Sequence, residues 1–131
     1  MAMSKRKFFM ESKDTILKDL YSAKEAYANA IKIDYNLDKE SIINIFSAHI
    51  DQGLCKFFCY SITIGFMEYV YKKSADEHWF PTPYEVYFDH EFSNKYAKYD
   101  DITIYIKKKC LMPRLKVVNN LIEKLKYFDN E

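Results

Sequence analysis

Glycine is scarce in this sequence, and its scarcity excludes two large groups of nucleotide enzymes. The chain has two glycines in 131 residues, Gly53 and Gly65. A phosphate-binding P-loop and the G-x-G-x-x-G turn of dinucleotide-binding folds both need more glycines, close together. Motifs of serine hydrolases, zinc peptidases, calcium loops and C-x-x-C zinc sites are absent as well. We therefore predict a non-enzymatic protein without a metal or cofactor.

The sequence also lacks an excess of positive or negative charge and any long apolar run. The 20 basic residues nearly balance the 19 acidic ones, so binding to duplex nucleic acid is not expected. The uncharged apolar stretch Phe57 to Met67 is well short of the roughly 20 residues that cross a bilayer. No apolar signal region follows the basic start of the chain. These features predict a cytoplasmic protein with no membrane partner.

Cysteine is sparse and odd in number, with three residues. Cys55 and Cys59 stand four positions apart in a segment with helical periodicity, so their sulfurs would share one face. A soft metal could bind there. Cysteine is nevertheless among the most buried residue types, and we interpret the pair as thiols of the core.

The apolar pattern predicts a mainly α fold, a single compact domain over residues 1–131. Apolar residues recur three and four positions apart in four segments. We expect four main helices, at about 15–33, 38–50, 54–73 and 113–128. Residues 1–12 are expected to form a flexible N-terminal tail.

The segment from Tyr84 to Cys110 admits two interpretations. Apolar residues alternate at 84, 86 and 88 and again at 102, 104 and 106. This alternation favours a short two-stranded β element between the third and last helices, since β-branched residues dominate the second run. The alternative is another helix, capped by Asp100 or Asp101.

One aromatic-rich stretch is H-W-F-P-T-P-Y-E-V-Y-F-D-H, residues 78–90, which holds the single tryptophan. Its two prolines favour an extended backbone. Trp79 and Tyr84 would either plug the end of the helical core or present flat faces for stacking on a base or a partner. His78 and His90 flank the stretch and could contact a ligand or act as acid and base.

Positive charge is concentrated around Pro113. If this proline starts a helix, Arg114 lies in the first turn, where unpaired N–H groups and the helix dipole favour an anion. Lys109 and Lys116 lie on either side of it in sequence and complete a candidate phosphate site. The alternative is a solvated, lysine-rich edge.

Three short motifs resemble a layout found among small phage-encoded accessory proteins. They are G-L-C at residue 53, W-F-P at residue 79 and R-L-K-V-V-N-N-L-I at residue 114, and the resemblance spans Gly53 to Leu125. It implies a class of role, because some such proteins block bacterial defence. They do so by binding a host effector or by sequestering a nucleotide-derived signal, in the host cytoplasm.

Three functional hypotheses follow. The first is a counter-defence protein that sequesters a small anionic, nucleotide-derived ligand through Trp79, Tyr84, His78, Arg114, Lys109 and Lys116. The second is an inhibitor of a host defence protein that uses a tyrosine-rich surface. The third is a small enzyme that uses His78 or His90. Self-association into a homo-oligomer stays open.

Overall fold

The mainly α prediction is confirmed by the computed structural model of the chain, which describes residues 4–33, 57–77, 79–82 and 102–128. These residues form four helical segments and no strand: α1 (Lys5–Glu11), α2 (Lys13–Ile31), α3 (Ser61–Tyr71), and a long segment composed of α4 (Ile102–Ile106), a π-helical stretch (Lys107–Leu111) and α5 (Met112–Lys126). The helix predicted at 38–50 and the proposed strand at 84–88 lie outside the described residues.

Helices α2 and α5 form the centre of the core, packing together more extensively than any other described pair. The predicted helix 15–33 is confirmed with slightly shifted ends. Its buried apolar residues recur at spacings of four and three: Ile16, Leu20, Ala23, Tyr27 and Ala30. Helix α5 supplies the facing stripe: Val117, Val118, Leu121, Ile122 and Leu125. Each helix thus buries one face, as an amphipathic helix should.

The N-terminal tail prediction is wrong, because residues 5–11 form α1 and bury Phe9. Ser4 caps the helix by accepting a hydrogen bond from the Lys7 N–H at 3.1 Å. The Phe9 ring lies 5.4 Å from that of Phe66 in α3, edge to face. Arg6 donates to the Phe128 carbonyl and lies over the Phe128 ring. These contacts join α1 to α3 and to Phe128, the last described residue.

The third helix is shorter than the predicted 54–73, since residues 57–60 precede it without helical structure. Tyr60 is its N-cap, and Lys72 ends it in the left-handed conformation, with φ of 54°. The prediction that Cys59 belongs to the core is wrong, since Cys59 is exposed. Cys59 precedes α3, so it does not belong to the apolar helix face that its spacing from Cys55 had predicted. Cys55 lies outside the described residues.

The strand predicted at residues 102–106 is also wrong. This segment is helical and continues into α5 with right-handed backbone angles at both junctions. Ile104 is exposed while Ile106 is fully buried, so these residues do not share a face as they would in a strand. Burial of Ile106, Cys110 and Leu111 at near-helical spacing outweighs the weak strand preference of the β-branched residues.

Pro113 is the second residue of α5 and lies just after a π-helical turn, so it does not mark a free helix start. The Met112 N–H bonds to the carbonyl of Lys107, five residues back. In a regular α-helix, the Pro113 ring would clash with the Lys109 carbonyl and could not donate to it. The extra residue in the preceding turn lets the helix pass through this proline, which places Arg114 inside a continuous helix.

The N-terminus of α3 is held by a carboxylate from α2. Asp19 is 3% exposed, and its two carboxylate oxygens accept the N–H groups of Cys59 at 3.3 Å and Tyr60 at 3.1 Å. A negative charge at this end also complements the helix dipole. Asp19 therefore fixes the turn into α3 against the core.

We expect Asp19→Ala to lower the free energy of unfolding by about 2–3 kcal/mol, because two backbone N–H groups at the start of α3 lose a charged acceptor. Glu25→Ala is the matched control, an exposed acid of the same helix, and should change it by less than about 0.5 kcal/mol. Urea titrations followed by circular dichroism measure both. Equal stability of the two variants would show that Asp19 does not hold α3.

Candidate functional site

A cavity of about 280 Å³ lies between the W-F-P segment, α3 and Arg114 of α5. Its aromatic wall is formed by Phe57, Trp79 and Phe80. Phe58, Ile64 and Met67 line it as well. Polar lining comes from Thr82 and from three charged residues, Asp76, Glu77 and Arg114. An apolar, partly aromatic cavity with a few polar groups is the usual form of a small-molecule site.

Arg114 connects the W-F-P segment, residues 79–81, to helix α5. Its side chain is 3% exposed, and its Nη1 donates to the carbonyls of Pro81 at 2.7 Å and Cys110 at 2.9 Å. Its Nη2 donates to the carbonyl of Phe80 at 2.9 Å. The guanidinium carbon also lies 5.8 Å and 5.9 Å from the ring centroids of Phe57 and Phe80. The planar guanidinium thus bonds at once to the W-F-P segment and to the helical turn at Cys110.

The charge of Arg114 has no carboxylate partner within the described ranges. Its three hydrogen-bond acceptors are neutral carbonyl oxygens. Nε is buried and bonds to no described group. A guanidinium has five N–H donors, so Nε–H and one Nη2–H remain for another acceptor. Buried charges are usually paired, and an acceptor group on a ligand would meet this need.

Trp79 is held rigidly in the wall of the cavity. Its indole N–H donates to the Ser74 carbonyl at 2.9 Å. Its ring lies edge to face against Phe57 and Tyr71, with both centroid separations 5.3 Å. The Lys73 ammonium lies 4.6 Å from the ring centroid and 4.0 Å from a carboxylate oxygen of Glu77. Such fixed rings bind at a low entropic cost.

The structure brings together two of the six residues predicted to bind ligand, Trp79 and Arg114. Lys109 and Lys116 are exposed and do not line this cavity. His78 and Tyr84 lie outside the described residues, as does His90. Arg114 does not lie in an unpaired first turn, as the predicted helix start at Pro113 had implied, because the π-helical stretch runs directly into α5.

Several residues of the cavity were missed at the sequence level. Phe57 stands far from the W-F-P segment in sequence, and nothing in the pattern pairs the two. Asp76 and Glu77 stand shortly before Trp79 in the sequence. This proximity was the one signal that could have assigned them to the same site. Their carboxylates give the cavity an acidic part that the predicted phosphate site did not include.

A second, larger groove of about 520 Å³ lies between α1 and α3. Phe8 and Tyr69 line it and are 46% and 38% exposed. Its lining also includes Phe9, Ile62 and Gly65. Tyr60, at the start of α3, is 53% exposed. Aromatic side chains with this exposure are typical of protein contact surfaces.

Comparisons with family models, curated proteins and solved structures found no match to the chain. No helix within the described ranges is long and apolar enough to cross a membrane. Among the same residues, no group of three histidine, cysteine or acidic side chains is placed to hold a metal ion.

Proposed function

We propose that this protein binds a small nucleotide-derived ligand without transforming it, in the cavity between Trp79 and Arg114. The observation that carries the proposal is the shared lining of this cavity: a fixed aromatic wall and a buried guanidinium whose Nε has no hydrogen-bond partner among the described residues. Aromatic rings stack on any base, and a guanidinium binds phosphate or carbonyl oxygen. In the counter-defence role that the phage resemblance implies, the protein would sequester the ligand.

The size of the cavity restricts the ligand. Ligand sites commonly measure about 300–1,000 Å³, and this cavity lies just below that range at about 280 Å³. One base fits such a volume better than an oligonucleotide does. A sugar or phosphate group would then extend toward the opening.

We expect Trp79→Ala to weaken ligand binding by about 1–3 kcal/mol, because one stacking surface is lost. Calorimetric titration with nucleosides, mononucleotides and cyclic mononucleotides measures the effect on protein first unfolded and refolded to release copurified ligand. Tyr127→Ala is the control, an exposed aromatic residue that does not line the cavity. Trp79→Phe, which keeps a ring, should fall between the two.

The proposal fails if none of these compounds gives heat with ligand-free protein. It fails equally if one binds and Trp79→Ala binds it as tightly as wild type does. Melting curves of each variant establish that a lost signal does not come from unfolding.

The second candidate function is inhibition of a host defence protein through the groove between α1 and α3. The exposed Phe8 and Tyr69 favour it. A protein partner that binds this groove should be lost with Phe8→Ser and retained with Trp79→Ala. The reverse pattern would favour the cavity.

A further inference from the structure

The charged residues of the cavity indicate which kind of base it would select. Asp76 and Glu77, two exposed acidic residues, belong to its lining, and Arg114 has the donors that remain after its three carbonyl bonds. The lining therefore presents acceptors and donors together. A complementary ligand carries N–H donors on one edge and O or N acceptors on another.

Guanine has this arrangement. Its N1–H and its 2-amino group form a pair of adjacent donors that a single carboxylate can accept, while O6 and N7 are acceptors that an arginine binds in bidentate fashion. Adenine places an acceptor, N1, beside its amino group, so a carboxylate there meets one donor and one lone pair. Uracil lacks an amino group.

The net charge of the lining works against a phosphate inside the cavity. Two acidic residues and one arginine line the cavity, and Lys73 lies near Glu77 but does not itself line it. Like charges at close range are repulsive. A phosphate carried by the ligand would therefore remain at the opening, in solvent, where its charge contributes little.

We propose that the cavity recognises a guanine-type base through Asp76 or Glu77 and Arg114, with Trp79, Phe57 and Phe80 enclosing the ring. This assignment rests on the proposed function and specifies the ligand class for the same site. It makes Asp76 and Glu77 determinants of specificity, a role that the exposed acids elsewhere on the surface do not share.

The test compares guanosine, inosine, adenosine and guanosine 5′-monophosphate by calorimetry. Inosine keeps O6, N7 and N1–H but lacks the 2-amino group. We expect guanosine to bind at least tenfold more tightly than inosine or adenosine. Guanosine and its monophosphate should agree within about threefold, because the phosphate stays outside.

Variants then assign the preference to the carboxylates. Asp76→Asn combined with Glu77→Gln should weaken guanosine binding at least tenfold and reduce its advantage over inosine to less than threefold. Glu123→Gln removes an exposed carboxylate of α5 that does not line the cavity, and should leave both quantities unchanged.

The outcomes separate this inference from the function on which it rests. If adenosine and guanosine bind equally, if the monophosphate binds more than tenfold better than the nucleoside, or if the double variant keeps the preference, the guanine assignment is overturned and base binding stands. If no nucleoside or nucleotide binds, both fall together.

Discussion

Replacing Arg114 by alanine should lower the free energy of unfolding by about 2–4 kcal/mol, because three carbonyl groups lose a charged donor. The variant also removes the guanidinium carbon that lies 5.8 Å and 5.9 Å from the ring centroids of Phe57 and Phe80. We expect the W-F-P segment to separate from the long helix first. The emission of Trp79, the single tryptophan, should therefore shift to longer wavelength at denaturant concentrations below the main helical transition.

Two further variants test this account of Arg114. Arg114→Lys keeps the charge but offers a compact ammonium in place of the planar fork, so its stability should lie between those of wild type and the alanine variant. Lys116→Ala removes an exposed cation from the same helix and should cost less than about 0.5 kcal/mol. If Arg114→Ala is as stable as Lys116→Ala, the arginine does not hold the segment.

The second large effect is expected at Phe66, where α1, α3 and the end of the chain meet. Phe66 is fully buried, and its ring lies 5.4 Å from Phe9 and 5.6 Å from Phe128. Phe66→Ala should cost about 3–5 kcal/mol, since the cavity it leaves adds to the lost burial. Denaturant unfolding followed by circular dichroism gives the value.

Tyr69→Ala is the matched control in the same helix. Tyr69 also contacts Phe9 and Phe128, yet it is 38% exposed, so its loss should cost about 1 kcal/mol. A Phe66→Ala variant no less stable than Tyr69→Ala would mean that this aromatic cluster does not join α1 and Phe128 to α3.

The two central helices could be predicted from the sequence because their burial is local and periodic. Ile16 and Leu20 belong to a regular stripe, and such a stripe is buried in almost any helical packing. The end of the last helix near Phe128 was predicted for the same reason. Its start was predicted at Pro113, next to the observed Met112, but the helical segment that leads into it through a π turn was not.

The features that were missed depend on contacts between distant segments. Asp19 bonds to groups 40 and 41 residues away, and no local pattern pairs them. Helix α1 depends on Phe9 meeting α3, which its seven residues do not reveal. Arg114 was singled out as a ligand-binding residue, but the carbonyl groups that it bonds lie 33 and 34 residues earlier, in Pro81 and Phe80. Arg114, which was expected to bind phosphate at a helix start, instead holds the cavity wall at Phe80 and Pro81 against α5.

The most direct test of the binding site uses the fluorescence of Trp79. Because the chain has a single tryptophan, its emission reports on one wall of the cavity alone. Titrating ligand-free protein with guanosine 5′-monophosphate should change this emission saturably, with a midpoint equal to the dissociation constant measured by calorimetry. Calorimetric binding with unchanged Trp79 emission would place the ligand elsewhere and contradict the assignment of this cavity.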